Sequence, residues 1–354
     1  MDQTIRFLAA SDGVRIAYAE SGSGPPLVKA ANWLSHLEFD WQSPVWRHWF
    51  SFLSSRHRLV RYDERGCGLS DWTCDDLSLD RQVADLESVV AAVGLERFPL
   101  LGISQGGAIA VEYAVRHPES VTHLVLYGSY AQGPYVRGEE RARRHRAMME
   151  LVRTGWGDDN PAFRQLFACI FIPEAKPEQV RWFGELMART TNPHMAARIL
   201  EAFATVDLTA RLPHVRCPTI VLHARDDYVP FEQGRMLAAG IPGARFSALE
   251  GRNHILLDDE PAWPRFRAAV HDFLGESIVG SASAGALDDL TVREREILCL
   301  VARGHSNLLI GSKLNISEKT VRNHLTSVFD KLQVGSRAQA IVFARDHGVV
   351  SDVR

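Results

Sequence analysis

A serine lies at the centre of the pentapeptide GISQG, at residues 102–106. The pentapeptide follows an apolar, strand-like run at 98–101 and precedes a small-residue, helix-like run at 107–111. Glycines two positions before and two after Ser104 permit a sharp strand-to-helix turn that presents the hydroxyl. The five-residue pattern alone is weak, and its position between a strand and a helix makes it much stronger. The pattern therefore predicts a nucleophilic serine.

A serine hydroxyl is a poor nucleophile unless a base takes its proton and a further group orients that base. Two later strand-like segments, 217–223 and 244–249, are followed by Asp226 and Asp227 and by His254, respectively. These carboxylates could instead cap a turn, and a single histidine is more often structural. Their joint occurrence after successive strands favours a catalytic Ser104–His254–Asp227 triad, with Asp226 as the neighbouring candidate.

Strand-like and helix-like segments alternate up to about residue 274, which predicts an α/β fold with a mostly parallel sheet. The predicted strands are 5–9, 14–20, 27–31, 57–62, 98–103, 121–127, 217–223 and 244–249. Strand character disappears at about 129–212, where we expect a helical cap over the carboxyl ends of the strands. Aromatic residues of this cap either line an apolar ligand cavity or pack the cap onto its base; they are Trp156, Phe163, Phe167, Phe171, Trp182 and Phe183.

Residues 5–274 resemble the α/β-hydrolase superfamily in the Ser–Asp–His chain order and in the turn YDERGCGLS at 62–70. The resemblance implies that Ser104 is the nucleophile, His254 the general base and acid, and Asp227 the orienting carboxylate. It also implies an oxyanion hole formed by the backbone N–H of Gln105 and a second N–H, for which Trp33 is the candidate. The family commonly has His-Gly before that donor, whereas this chain has Ala-Asn at 31–32, so we expect slow turnover.

The C-terminal segment predicts a second, all-α domain of four helices. Gly304 ends a first helix, Ser306 or Asn307 caps a second, and Ser317 caps a third with an apolar inner stripe. Two short helices, a turn and a longer helix form a helix-turn-helix. The outward face of the third helix carries residues able to contact phosphates or base edges: Lys319, Thr320, Arg322, Asn323, Thr326 and Lys331.

A polar helix face is by itself more often merely solvated. Here LTVREREIL, GHSN, ISEKTVRNH and KLQVGSR together resemble the LuxR/FixJ-type helix-turn-helix over all four helices. The resemblance implies DNA as a partner, with the third helix in the major groove. It also implies a homodimer that forms through the fourth helix, at about 336–347, and reads two half-sites.

Composition sets further limits on the 354-residue chain. Its net charge of −3 excludes a generally basic coat, and residues 287–354 contain ten Lys and Arg against eight Asp and Glu. Five cysteines without a C-x-x-C pair predict neither disulfides nor a metal site, and no cofactor is expected. The absence of an apolar leader or spanning segment predicts a cytoplasmic protein without membrane contact. The expected domains are 1–274 and 290–354, with a small-residue linker at 275–289.

Three hypotheses remain open. The chain is a DNA-binding transcriptional regulator whose hydrolase-like domain senses, and slowly hydrolyses, a small ester- or lactone-like ligand. Alternatively, it is an active serine hydrolase with an accessory DNA-binding tail. In the third hypothesis the hydrolase fold is catalytically dead and serves only binding or dimerisation.

Overall fold

The computed structural model describes residues 3–156, 160, 162–286, 290–332, 334 and 337–346. The chain divides into two compact units, Met1–Val270 and His271–Arg354. The first unit contains an eight-stranded sheet, and the described helices of the second beyond residue 290 form a small all-α domain. Both agree with the predicted classes.

The eight strands follow the predicted ones closely. They are Gln3–Ala9 (β1), Arg15–Ser21 (β2), Pro26–Lys29 (β3), Arg58–Tyr62 (β4), Phe98–Ile103 (β5), Val121–Tyr127 (β6), Thr219–Ala224 (β7) and Arg245–Leu249 (β8). Their order in the sheet is β1-β2-β4-β3-β5-β6-β7-β8. The pairs β1–β2 and β2–β4 are antiparallel, and the other pairs are parallel. The carboxyl ends of β3 and β5–β8 therefore meet at one edge, where loops in such sheets carry ligand sites.

Helices cover both faces of this sheet. The helices of the first unit outside the cap are Leu37–Trp41 (α1), Arg47–Ser54 (α2), Leu79–Val93 (α3), Gly106–Arg116 (α4), Phe231–Gly240 (α9) and the start of Ala262–Ala286 (α10). Apolar residues of α3 and α4 join Val28, Leu100 and Leu124 in an extensive buried cluster. The opposite face carries aromatic packing, in which the Trp49 ring lies 4.5 Å from that of Phe266. Because the central strands are buried on both faces, their sequences are continuous apolar runs and do not alternate between apolar and polar residues.

The insertion between β6 and β7 is helical, as predicted. Its helices are Glu139–Gly155 (α5), Ala162–Phe171 (α6), Pro177–Thr190 (α7) and Pro193–Ala204 (α8). Proline at the first turn and an Asn192 cap fix the start of α8, where the Asn192 side chain accepts from the Met195 N–H.

The second unit contains the four expected helices: Val292–Ala302 (α11), Asn307–Leu314 (α12), Glu318–Leu332 (α13) and Arg337–Asp346 (α14). Thr291 and Glu294 form a capping box at the start of α11, and Ser306 caps α12. Asn315 adopts the left-handed conformation that turns the chain between α12 and α13. The inner stripe of α13 is buried.

The small-residue segment that was predicted as a linker has a helical backbone, since α10 continues to Ala286. Its alanines favour a helix and its glycines weaken one without excluding it. Residues 287–289 of the predicted linker lie outside the described residues. Among the helices that the structure describes, none combines the length and apolar character needed to span a membrane.

Candidate active site and candidate nucleic-acid interface

Ser104 lies in the turn between β5 and α4 with a φ of +52°, in the left-handed region that side chains rarely adopt. Its N–H donates to the Tyr127 carbonyl of the neighbouring strand, at 2.9 Å. Such local strain holds the side chain at the edge of the sheet, as expected for a nucleophile on a sharp turn.

The flanking glycines are required by close contacts. A Cβ atom on Gly102 would lie 2.7 Å from the Gly107 Cα, and one on Gly106 would lie 2.4 Å from the Ala31 carbonyl oxygen. The second contact brings the loop after β3 directly against the start of α4. The backbone groups of Gln105 and of the loop containing Trp33 are thereby brought into the same neighbourhood.

The structure brings His254 and Asp227 together. His254 Nδ1 donates to Asp227 Oδ1 at 2.8 Å, and the Asp227 carboxylate is completely buried. The Val229 N–H also donates to Asp227 Oδ1, at 2.9 Å, which fixes the carboxylate in its loop. Asp226 is exposed, so Asp227 is the carboxylate that the fold pairs with the histidine.

A second histidine, which the sequence did not suggest, lies beside this carboxylate. His223 is fully buried on β7, and its Nε2 donates to the Val229 carbonyl at 2.9 Å and lies 3.8 Å from Asp227 Oδ2. Burial lowers the pKa of His223 and so favours its neutral form. A neutral His223 adds no positive charge beside Asp227, so the carboxylate charge acts on His254.

The other ring nitrogen of His254, Nε2, is buried and makes no hydrogen bond within the described part of the chain. The Ser104 hydroxyl also makes no hydrogen bond to the described residues. A neutral imidazole held by Asp227 through Nδ1 presents Nε2 as an acceptor, which is the form that a general base requires.

The cap reaches the histidine through Phe171. The His254 N–H donates to the Phe171 carbonyl at 2.7 Å, and the two rings lie 5.6 Å apart. Phe171 also packs against Trp33, at 5.8 Å, and Tyr228, at 5.2 Å. The residues around His254 are thus aromatic, and they come from the cap, from the loop after β3 and from the loop after β7.

Most of the predicted cap aromatics pack within the cap or onto its base. Trp156, Phe167 and Phe183 are at most 2% exposed, and Trp156 and Phe167 pack against Trp33 of the loop after β3, at 5.5 and 5.9 Å. Trp182 stacks on Phe39 at 4.9 Å. Phe171 approaches His254, and a ligand cavity lined by these aromatics stays a prediction.

The loop that contains Trp33 is held by buried polar groups. The Lys29 ammonium donates to Asn32 Oδ1 at 2.5 Å, and Asn32 Nδ2 donates to the Trp33 carbonyl at 3.0 Å. Burial lowers the pKa of Lys29 to about 8. The Asn32 side chain links Lys29 to the backbone at Trp33. Leu34, with a φ of +62°, completes the turn.

A buried carboxyl group lies beneath the residue that follows the nucleophile. Gln105 Nε2 donates to Glu64 Oε1 at 2.5 Å, and Gln82 Nε2 donates to the same oxygen at 3.0 Å. Burial raises the pKa of Glu64 to about 8. Glu64 belongs to the YDERG turn that carried the family resemblance, but nothing in that pattern indicated a contact with Gln105.

In the second unit, α13 presents most of the predicted polar face to solvent. Lys319, Arg322, Asn323 and Thr326 are exposed. Arg322 forms an exposed ion pair with Glu318 one turn earlier, at 3.2 Å, and such pairs are weak enough to exchange for a phosphate or base edge. Thr320 is partly buried, and its hydroxyl is 2.8 Å from that of Ser317 at the start of the helix.

Lys331 has a partner inside its own domain. Its ammonium lies 2.7 Å from Glu294 Oε2, and the Glu294 side chain is only 5% exposed. Burial alone would raise the pKa of Glu294, but hydrogen bonds from Lys331, Ser327 and Thr291 lower it to about 2. Lys331, which the sequence predicts as a DNA contact, therefore joins the end of α13 to the start of α11.

Gly311 is buried where α12 turns towards α13. A Cβ atom there would lie 2.7 Å from the Ile316 carbonyl oxygen. The glycine lowers the helix propensity of α12, and it also permits this close approach between the helix and the turn.

Comparisons with known proteins agree with both halves of the chain. Residues 41–261 match the family described as alpha/beta hydrolase fold, and residues 288–344 match the bacterial regulatory proteins of the luxR family. An AB hydrolase superfamily protein from Bacillus subtilis is 26% identical over 253 residues, covering 70% of this chain and 91% of that protein.

Two solved structures extend the match. A hydrolase from Pseudomonas aeruginosa superposes with a TM-score of 0.64 at 27% identity, covering 77% of this chain and 98% of that one. An esterase from Rhodococcus sp. gives a TM-score of 0.64 at 25% identity, with the same shares. The sheet, the strained serine and the matched families lead to one conclusion: the chain belongs to the α/β hydrolase fold family and carries a C-terminal DNA-binding domain of the LuxR type.

Proposed function

We propose that the protein is a transcriptional regulator whose hydrolase domain senses a small ester- or lactone-like ligand. The observation that carries this proposal is the buried, hydrogen-bonded His254–Asp227 pair, in a chain that also has a strained Ser104 at a strand-to-helix turn and a LuxR-type domain. Esterase and hydrolase relatives support the class of ligand.

In the proposed chemistry, the Ser104 hydroxyl oxygen attacks the acyl carbon while His254 Nε2 takes the hydroxyl proton. Asp227 stabilises the imidazolium that forms. The negative charge on the former carbonyl oxygen is bound by the backbone N–H groups of Gln105 and Trp33. Collapse of the tetrahedral intermediate breaks the bond to the leaving oxygen, which receives the proton from His254. An acyl group then remains on Ser104 until water removes it.

Slow removal of this acyl group suits a sensor, because a long-lived complex has time to shift a conformational equilibrium. We propose that Lys29 and Asn32, which stiffen the loop at Trp33, contribute to a fixed and slowly exchanging acyl site. The aromatic surroundings formed by Trp33, Phe171 and Tyr228 favour an apolar acyl group.

We further propose that the exposed residues of α13 read DNA in the major groove as part of a homodimer that binds two half-sites. Lys319, Arg322, Asn323 and Thr326 are the proposed contacts, with Thr320 positioned at the start of the helix. Dimerisation through α14 is part of the same proposal.

The alternative is an active serine hydrolase with an accessory DNA-binding tail, and the fully assembled His254–Asp227 pair favours it. The rate of turnover distinguishes the sensor from the active hydrolase. Rapid release of many product molecules per chain supports the enzyme, whereas a single burst followed by slow release supports the sensor.

A fluorophosphonate reagent tests the nucleophilic Ser104, which both hypotheses require. Wild-type protein should be labelled at Ser104, and Ser104→Ala should not be labelled. A dead hydrolase fold predicts no labelling of either protein and unchanged regulation in Ser104→Ala. Unlabelled wild-type protein would contradict the proposed nucleophile.

A further inference from the structure

We infer that Glu64 is a positioning residue, which holds Gln105 of the oxyanion hole in place as a neutral carboxylic acid. The inference rests on the proposed function, because it concerns the acylation of Ser104. Glu64 does not contact the reacting atoms, and it acts through the residue that follows the nucleophile.

The first step is the hydrogen-bond pattern. Glu64 Oε1 accepts from both Gln105 and Gln82, while Glu64 Oε2 and Gln82 Oε1 are buried without any hydrogen-bond partner among the described residues. Two such oxygens are both acceptors when Glu64 is ionised, so neither can satisfy the other. Leaving buried acceptors unsatisfied costs about 1–3 kcal/mol each.

A proton on Glu64 Oε2 removes this conflict. The resulting O–H is a donor for a buried acceptor such as Gln82 Oε1, while Gln82 Nε2 and Gln105 Nε2 continue to donate to Glu64 Oε1. A neutral acid therefore supplies the donor that this cluster lacks, and a carboxylate supplies none.

The surroundings of Glu64 point the same way. Its side chain is fully buried, and burial is the main reason that its pKa is raised to about 8. Asp85 raises this pKa further, whereas the hydrogen bond from Gln105 and the cations Lys29 and Arg65 only partly offset the rise. Among the described residues, Glu64 also raises the pKa values of Tyr62, Cys67, Cys74 and Tyr130.

The link to catalysis is the position of Gln105. Its side chain is 3% exposed and anchored on Glu64, while its backbone N–H begins the turn of α4 directly after Ser104. An oxyanion donor must be fixed to within a fraction of an ångström to stabilise the transition state. Ionisation of Glu64 would place an unsatisfied charge directly beneath this donor.

The experiment measures the rate of Ser104 labelling by a fluorophosphonate in the full-length chain between pH 6 and pH 9.5. For wild-type protein, the rate should fall about tenfold between pH 7 and pH 9, as a group with a pKa near 8 loses its proton. The side-chain amide of Glu64→Gln has one acceptor oxygen and one donor NH2 group and does not titrate. Its labelling rate should therefore fall less than about threefold over the same pH interval. Glu64→Leu should be labelled at least about tenfold more slowly at every pH.

Asp40→Asn is the matched control. Asp40 is another fully buried carboxyl whose pKa burial raises to about 7, but it accepts from the His36 N–H and not from Gln105. This variant should retain the alkaline fall of the wild type. Identical pH profiles for wild type and Glu64→Gln would overturn the inference and assign the fall to another group, such as Lys29.

Failure of this inference is distinguishable from failure of the proposed function. Wild-type protein that is unlabelled at every pH contradicts the nucleophile, whereas labelled protein with coincident profiles rejects only Glu64. Thermal unfolding provides a readout that is independent of labelling. Because folding raises the pKa of Glu64, its contribution to stability is complete below about pH 4.5 and is lost as the pH rises towards 8. The melting temperature of wild type relative to Glu64→Gln should therefore fall over this range, and a constant difference would contradict a neutral Glu64.

Discussion

The two candidate sites are built in opposite ways. The site around Ser104 is assembled from the ends of several strands, and buried polar side chains there form hydrogen-bonded pairs: His254 with Asp227, Gln105 with Glu64 and Lys29 with Asn32. The proposed DNA-reading surface comes from one helix, α13, and its polar groups point to solvent. Catalysis needs groups that do not reorganise during the reaction, whereas groove recognition needs groups that are free to exchange water for DNA.

The same contrast exists within the second unit. Arg322 forms only an exposed pair, while Lys331 binds the buried Glu294. Two basic residues on one helix therefore have different surroundings, and burial of the acidic partner distinguishes them. Variants of Arg322 and Lys331 in the second unit, and of Asp226 and Asp227 in the first, test this contrast between buried and exposed groups.

The largest expected effect is at Asp227. Asp227→Asn removes the charge that orients and stabilises His254, and we expect the rate of Ser104 labelling to fall by about 10⁴-fold. Asp226→Asn is the matched control, because the Asp226 side chain is exposed, and its labelling should change by less than about twofold. Similar rates for the two variants would show that the buried pair is not part of the machinery.

The next effect concerns DNA. Arg322→Ala and Asn323→Ala should each weaken binding to specific DNA by about 1–3 kcal/mol if these side chains reach base edges. Binding of both variants to random DNA provides the reference. Equal losses on specific and random DNA would assign these residues to phosphates instead of bases.

Lys331→Ala should affect the domain itself more than the DNA contact. Removing the ammonium leaves Glu294 buried without its strongest partner, and we expect a loss of about 1–2 kcal/mol in the stability of the second unit. Amide hydrogen exchange in α11 and α13 of the full-length chain measures this loss. If amide hydrogen exchange is unchanged and binding to all DNA is weaker, Lys331 contacts DNA phosphates instead of stabilising the domain.

The pH dependence of the same pair gives the smallest expected effect. Because folding lowers the pKa of Glu294 from 4.5 to about 2, its contribution is present above about pH 4.5 and is lost as the pH falls towards 2. In Lys331→Ala this lowering is reduced, so the acid-induced increase in exchange should span a narrower pH range. An acid dependence identical to that of wild type would show that the pair does not stabilise the domain.

The sequence predicts the sheet, the cap and the helix-turn-helix well, since each depends on periodicity and turn chemistry that are local in the chain. The same holds for the turn between α12 and α13 and for the exposed face of α13. The neighbourhood of His254 and Asp227 could be predicted because parallel strands end at one edge of a sheet.

Contacts between distant segments could not be predicted in this way. Glu64 and Gln105 are 41 residues apart, and Lys331 and Glu294 are 37 apart. In both cases the residue type allowed a conventional surface role, and only the fold shows which side chain lies opposite. The helical backbone of 275–286, within the predicted linker, was not predicted, because a composition rich in glycine weakens a helix without forbidding it.

The most direct test measures the affinity of the full-length protein for a promoter fragment from its own genome, before and after a fluorophosphonate phosphonylates Ser104 with loss of fluoride. If the hydrolase domain is a sensor, this covalent modification should change the Kd at least about fivefold in wild type and leave the Kd of Ser104→Ala, treated identically, unchanged. The same Kd for modified and unmodified wild-type protein would contradict the account.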